Sequence, residues 1–492
     1  MVYGDVFDNH LYDRNFFEHE ILSSLPEIAD PGALFDRLDA IRINLATGDS
    51  EAGLDLAFAS ELLKFLGWPF VYQQKFKFHG GVKIPDFQLF ADEKEKVAFQ
   101  AALLNDKPLK TIFSVWEDKA ENVVLDNGKT GPDSPYFQLM GYLLSLRLTF
   151  GFLCNGHEIW YIDNSEIFSE KRYLVANFDR LVASRDTDAL RIFMGVFGRA
   201  GHIAIGEEVA PVRQVARESV KRRFQSEEEL KDAVYGLNGR DSLFEKCGAI
   251  LFKGLPRRDE TVLADLYKNC LYFTFRLIFI AYFEDKHRRI LEKHPGYNSL
   301  SLASIYAKAR ELVDAGNTGS FDIWNSLQLL FRTLDEGNPN LDIPLFDGGL
   351  FARKLAPILE RPKMMTNAEA MDLLDLLFRE KNTGYKRDFS YLSVIQLGRI
   401  YESPLEFEFR IAEENLWYLS YKEKNKGKDG TIDGYFDTED YRNIEGSKKF
   451  VIEGKPVAYR KGEVYLAGGK NSRKQSASYY TAQSLAPWSR TP

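Results

Sequence analysis

Val82-Lys83-Ile84-Pro85-Asp86-Phe87-Gln88-Leu89-Phe90 and Thr111-Ile112-Phe113-Ser114-Val115-Trp116-Glu117 are apolar runs that each carry one carboxylate. Both are short and rich in aromatic and β-branched residues, which predicts two strands. Side chains alternate along a strand, so Lys119, two residues after Glu117, returns to the face of that carboxylate. Working outward, Tyr136 to Leu146 is amphipathic and predicts a helix that carries Gln138. Asn155-Gly156 then separates Thr149–Cys154 from His157–Asp163, two β-rich runs, and predicts a hairpin. The helix and this hairpin are expected to cover the sheet bearing Asp86 and Glu117. Ahead of them, Leu54 to Trp68 reads as a helix ending at Gly67. Its Glu61 is a further acidic candidate, although an exposed helix glutamate is the plainer reading.

The residue types suit one chemistry. Hydrolysis of a phosphodiester needs an activated water, a sink for the oxyanion charge and a stabilised leaving group. Mg²⁺ on hard oxygen ligands supplies all three. Asp86 and Glu117 are the expected ligands. Lys119 would orient the attacking water, or help deprotonate it, and offset phosphate charge; Gln138 would position the lysine or the water. This is the PD…(D/E)xK pattern. An acid-x-Lys triplet arises easily where 28% of residues are charged, and a turn aspartate with a solvated Glu/Lys edge is the competing reading. What favours the site is that both carboxylates end apolar runs among further strand-like segments.

Several further segments resemble the amino-terminal half of type IIG restriction–modification enzymes. In that family a PD…(D/E)xK nuclease, a helical connector and an adenine DNA methyltransferase are fused. Leu125-Asp126, Ser134-Pro135-Tyr136-Phe137-Gln138-Leu139 and Tyr142-Leu143 resemble the segment after the catalytic lysine. Phe150 to Trp160 resembles the hairpin, with Cys154 where threonine is usual. Leu277 to Asp285 resembles the connector helix ending in Glu-Asp, and Phe346-Asp347-Gly348-Gly349-Leu350-Phe351 its Gly-Gly-Leu-Phe turn. Leu397-Gly398-Arg399-Ile400-Tyr401-Glu402 and Pro404-Leu405-Glu406 follow, Pro404 being a departure, and then Arg473 to Ala482. The resemblance implies that Tyr479, Tyr480 and Thr481 open a methyltransferase domain and touch its S-adenosylmethionine pocket. The glycine-rich cofactor loop and the Asn-Pro-Pro-Tyr that holds a flipped adenine are absent from this sequence. The expectation is a split or frameshifted gene. S-adenosylmethionine would then serve only if a methyltransferase and specificity polypeptide completes the assembly.

With 492 residues, 45% of them hydrophobic and 14% aromatic, the chain has material for roughly three domains. The fold class expected is multidomain, α/β followed by α. The divisions read as 1–205, an α/β nuclease domain of the PD-(D/E)xK type; 206–400, a helical connector; 401–470, a β-rich segment; and 471–492, a methyltransferase start. Three dispersed cysteines without metal spacing suit a reducing cytoplasm. No basic-then-apolar leader opens the sequence. Leu271 to Phe283 is interrupted by Arg276 and is shorter than the roughly 20 residues of a membrane span, so it reads as a buried core helix and no membrane partner is expected. Net charge is -8, which leaves double-stranded DNA to local basic patches. Arg213, Arg217 and Lys221 recur every fourth residue and share one helical face; Arg473 and Lys474 belong to a second cluster. A solvated face is the bland reading of both. No P-loop is present, since Val123 stands where Gly128-Lys129-Thr130 would need its glycine. The reading from another class is a catalytically silent DNA-binding or scaffold subunit of a methyltransferase complex.

Overall fold

The computed structural model describes residues 5–43, 58–78, 81–104, 112–165, 171–236, 242–291, 294–341, 349–390, 407–423, 431–446 and 450–468. Excepted within these ranges are 130, 132, 205 and 207; residues 343, 392 and 398 are described in addition. The fold is mixed α/β. Contacts divide the chain into Met1–Arg223 and Phe224–Pro492. That division falls inside the helix Pro211–Tyr235, whereas the division expected from the sequence, at 205/206, precedes the helix.

The first unit is built on a seven-stranded sheet. Its strands are β1 (Phe7–Asn9), β2 (Phe70–Tyr72), β5 (Phe87–Leu89), β6 (Ser114–Asp118), β7 (Phe150–Cys154), β8 (Glu158–Asp163) and β9 (Tyr173–Asn177), in the order β1-β9-β8-β7-β6-β5-β2. A separate small hairpin, β3 (Phe76–Phe78) with β4 (Gly81–Lys83), precedes Asp86. The longer helices of this unit are α1 (Arg14–His19), α2 (Pro31–Ile43), α3 (Ser60–Phe65), α4 (Glu93–Leu104), α5 (Pro135–Leu146), α6 (Phe178–Ser184) and α7 (Thr187–Phe197), with a short turn of helix at Arg199–His202. The helix α8 (Pro211–Tyr235) begins in this unit and ends in the second. Neighbouring strands of the sheet are antiparallel except β6 and β7, which are parallel. Parallel neighbours need a crossover connection, and α5 supplies it.

The period of two sorts the strand residues between two cores. Phe87, Trp116, Phe152 and Tyr161 face α1, α2, α3, α6 and α7. Val115, Leu153, Trp160 and Ile162 face Tyr136, Leu139 and Leu143 of α5. Gly151 is what lets α5 sit this close, because a Cβ there would lie 2.8 Å from Leu143 Cδ2 and 3.3 Å from the Val115 carbonyl. The hairpin expected at Asn155-Gly156 is present as β7–β8, with Gly156 at φ 87°. It departs from expectation in position: it extends the sheet beside β6 rather than covering it.

The second unit holds the helices α9 (Leu243–Gly254), α10 (Leu263–Lys286), α11 (Leu302–Asp314), α12 (Asp322–Glu336) and α13 (Asn367–Phe378), which share one core. Arg276 lies buried in α10, over the Phe331 ring at 5.2 Å, with Nε donating to the Leu350 carbonyl at 2.9 Å. Burial lowers its pKa to about 10. Glu284, near the end of α10, accepts from the first backbone N–H groups of α11, Leu302 at 2.7 Å and Ala303 at 3.0 Å. Asp285 accepts from the Phe389 N–H at 3.0 Å. The paired acids therefore fasten two separate segments. Beyond the helices come β10 (Phe407–Ile411), β11 (Leu416–Glu423), β12 (Thr431–Asp437), α14 (Thr438–Glu445), β13 (Phe450–Tyr459) and β14 (Val464–Gly468). They form a two-stranded β10–β14 sheet and a three-stranded sheet ordered β12-β11-β13. The segment 471–492 lies outside the described residues. Among the described residues no helix is long and apolar enough to cross a membrane.

Candidate active site

The register that pairs Phe87 with Trp116, carried one residue further, sets Asp86 opposite Glu117. Directly opposed residues of antiparallel strands project to one face, here the α5 face. Asp86 sits at the bend where the chain leaves Pro85 and enters β5. Glu117 is the fourth residue of β6 and Lys119 immediately follows that strand, so both fall on the Val115 side while Trp116 and Asp118 fall on the other.

The polar contacts tie these pieces together. Lys119 Nζ donates to Glu117 Oε1 at 2.8 Å and to the Asp118 carbonyl at 2.9 Å. Gln138 Nε2, from α5, donates to the same Glu117 oxygen at 2.6 Å. Glu117 Oε2 instead faces Asp86, accepting from its N–H at 3.4 Å. Asp86 Oδ2 accepts from the Asp118 N–H at 2.9 Å. Of the four residues expected to act together, Asp86, Glu117, Lys119 and Gln138, all meet here. Gln138 acts on the glutamate.

The electrostatics are those of a buried charge pair with a neighbouring like charge. The Glu117 side chain is 3% exposed and that of Lys119 14%. Desolvation and then the adjacent Asp86 push the Glu117 pKa up to about 7, against the pull of Lys119. A further cation between the carboxylates would relieve this repulsion. Among the described residues no group of three or more His, Cys, Asp or Glu side chains forms a ready cage for one. The donor set nevertheless fits Mg²⁺, which commonly takes one or two carboxylates and fills its shell from water and substrate oxygens.

The sequence reading passed over three neighbours. The Tyr142 hydroxyl accepts from Gln138 Nε2 at 3.4 Å and donates to the Ile84 carbonyl at 3.4 Å. Its signal was legible, since Gln138 and Tyr142 are four apart on one helix face. Gln73 and Gln88 also border Asp86, through contacts that no local pattern announces. Conversely, Glu61 pairs with Lys64 at 2.6 Å on the surface of α3, and α3 packs on the opposite face of the sheet. His157 is solvent-facing and bonds Asp179 Oδ2 at 2.6 Å.

Arg213, Arg217 and Lys221 lie exposed along α8, with Glu218 Oε2 3.5 Å from Lys221 Nζ. Arg473, Lys474, Tyr479, Tyr480 and Thr481 lie outside the described residues. Against protein-family models, curated proteins and solved structures, the chain finds no match.

Proposed function

We propose that this chain is the Mg²⁺-dependent DNA-cutting portion of a type IIG-like restriction or phage-defence system, with a nuclease domain of the PD-(D/E)xK class. The observation that carries the reading is the buried Glu117 carboxylate, held on one oxygen by Lys119 and Gln138 and turned by the other toward Asp86. Asp86 and Glu117 would hold the metal, which supplies Lewis acidity and a water of lowered pKa. Lys119 keeps an ammonium beside the carboxylate pair, where it orients the attacking water and offsets phosphate charge. Gln138, itself held by the Tyr142 hydroxyl, fixes the glutamate so that it presents one oxygen to the cation.

Double-stranded DNA is the proposed substrate, and the exposed Arg213, Arg217 and Lys221 are proposed to contact its phosphates. The segment similarity of the sequence supports a methyltransferase and specificity polypeptide as partner, with S-adenosylmethionine bound only in that assembly. Plasmid cleavage by wild type and Glu117→Ala, each with Mg²⁺ or EDTA, tests the reading. Mg²⁺-dependent cutting lost in the variant is expected; cutting that survives Glu117→Ala removes the assignment. DNA binding without any Mg²⁺ binding would point to a silent scaffold subunit instead.

A further inference from the structure

Four non-glycine residues among those described have positive φ: Gln73, Arg147, Arg185 and Lys363. Three have ordinary explanations. Arg147 and Arg185 are left-handed caps of α5 and α6, and Lys363 follows Pro362 in a turn. Gln73, at φ 42°, immediately follows β2, where a left-handed glutamine is uncommon. A residue kept in such a conformation is held there by its surroundings, and the inference runs from the outlier to a role.

Its surroundings are Asp86. The ladder pairing Tyr72 with Phe87 continues one step, and the Gln73 N–H donates to the Asp86 carbonyl at 2.7 Å. The left-handed turn at Gln73 then brings its side chain back, so that Nε2 lies 3.4 Å from Asp86 Oδ1. One buried amide steadies both flanking segments: Gln88 Nε2 donates to the Gln74 carbonyl at 3.3 Å and to the Pro85 carbonyl at 3.2 Å. Since Asp86 Oδ2 is taken by the Asp118 N–H, the two oxygens of this carboxylate are aimed by two different donors.

We propose that Gln73 is a positioning residue, which sets the plane of the Asp86 carboxylate for cation binding and is itself set by the buried Gln88. The proposal rests on the metal-site reading above. At 3.4 Å the bond is weak, and its effect is directional. Donors behind metal-binding carboxylates commonly change affinity by about 10-fold or more when removed.

Mn²⁺ binding by the full chain, followed by calorimetry or electron paramagnetic resonance, tests it in wild type, Gln73→Met, Gln73→Gly and Asp86→Asn. Gln73→Met keeps the volume and deletes the donor; Gln73→Gly also releases the backbone strain. Expected are binding by wild type, its loss in Asp86→Asn, and about tenfold weaker binding in both Gln73 variants with no fall in melting temperature for Gln73→Gly. A turn residue of purely structural role would move the melting temperature and leave Mn²⁺ affinity alone. Wild-type affinity in both Gln73 variants overturns the proposal and leaves the metal site standing. No binding by wild type, or equal binding by Asp86→Asn, overturns the metal site and the proposal with it.

Discussion

Glu117→Gln should make the metal-free protein more stable while abolishing its metal-dependent activity. The glutamine keeps the size of the side chain and an oxygen for Lys119 and Gln138, and removes a charge that the fold holds with difficulty. With the Glu117 pKa raised from 4.5 to about 7, ionising it in the fold costs about 3 kcal/mol more than in the unfolded chain, at roughly 1.4 kcal/mol per pH unit. That figure already contains the attraction of Lys119 and is an upper bound. The sign follows from linkage. A carboxyl whose folded pKa is raised contributes stability that is fully present below pH 4.5 and is lost as pH rises through about 7. In EDTA at pH 8 the variant should therefore melt higher by about 3–6 °C, taking half the bound and about 2–4 °C per kcal/mol for a unit of this size. Near pH 4 the gain should vanish. Thermal unfolding followed by tryptophan fluorescence reads both, because Trp68, Trp116 and Trp160 lie in the unit that bears the site. Equal stability at pH 8, or a gain that persists unchanged at pH 4, would refute the picture of an ionised carboxylate strained by its burial.

Lys119→Met should reduce Mg²⁺-dependent cutting by about 100-fold, within the range for proton-transfer groups, while Mn²⁺ still binds; an unchanged single-turnover rate would dismiss its role at the water. Arg213→Ala/Arg217→Ala/Lys221→Ala should weaken DNA binding across sequences and lower the slope of log K against log salt by about 2.7, at about 0.9 per phosphate contact. An unchanged slope would return that face to solvent. His202 stacks on Phe150 at 4.2 Å and bonds the Val196 carbonyl. Burial lowers its pKa from 6.5 to about 4, so it contributes stability that is present above pH 6.5 and lost as pH falls through about 4. His202→Gln should flatten that acid loss in melting curves taken across this window. Glu117 pulls the other way over much of the same range, so each effect is to be read as a difference between variant and wild type.

How much of this could be read from the chain depends on the range of each signal. Glu117 and Lys119 were legible because they end and follow an apolar run and because alternation alone puts the lysine on the glutamate's face. Asp86 was legible as the carboxylate inside the run 82–90, which the structure breaks there between β4 and β5. Gln138 was legible as a helix position but not in its target, since helix phase says nothing about which side chain stands opposite. Placement of the β7–β8 hairpin was misread: Phe152-Leu153-Cys154 is apolar on both faces, as suits a strand covered on both sides, but pairing with β6 is a long-range choice. Gln73 left no mark, because its signal is a backbone angle and a contact thirteen positions away. Tyr142 could have been found by its spacing from Gln138.

The crossover through α5 has a kinetic consequence. Strands β5 and β6 can pair early, as neighbours in sequence, and would bring Asp86 and Glu117 together at once. The amide that steadies Glu117 is nearer to it in sequence than Asp86 is, 21 positions against 31, but it lies on the helix that carries the chain round to β7 and leaves the ribosome after both acids. A polypeptide still emerging from the ribosome would thus hold two repelling acids and no finished centre. Competence would come only after residues near Cys154 have docked beside β6, which delays any cutting until the unit is whole.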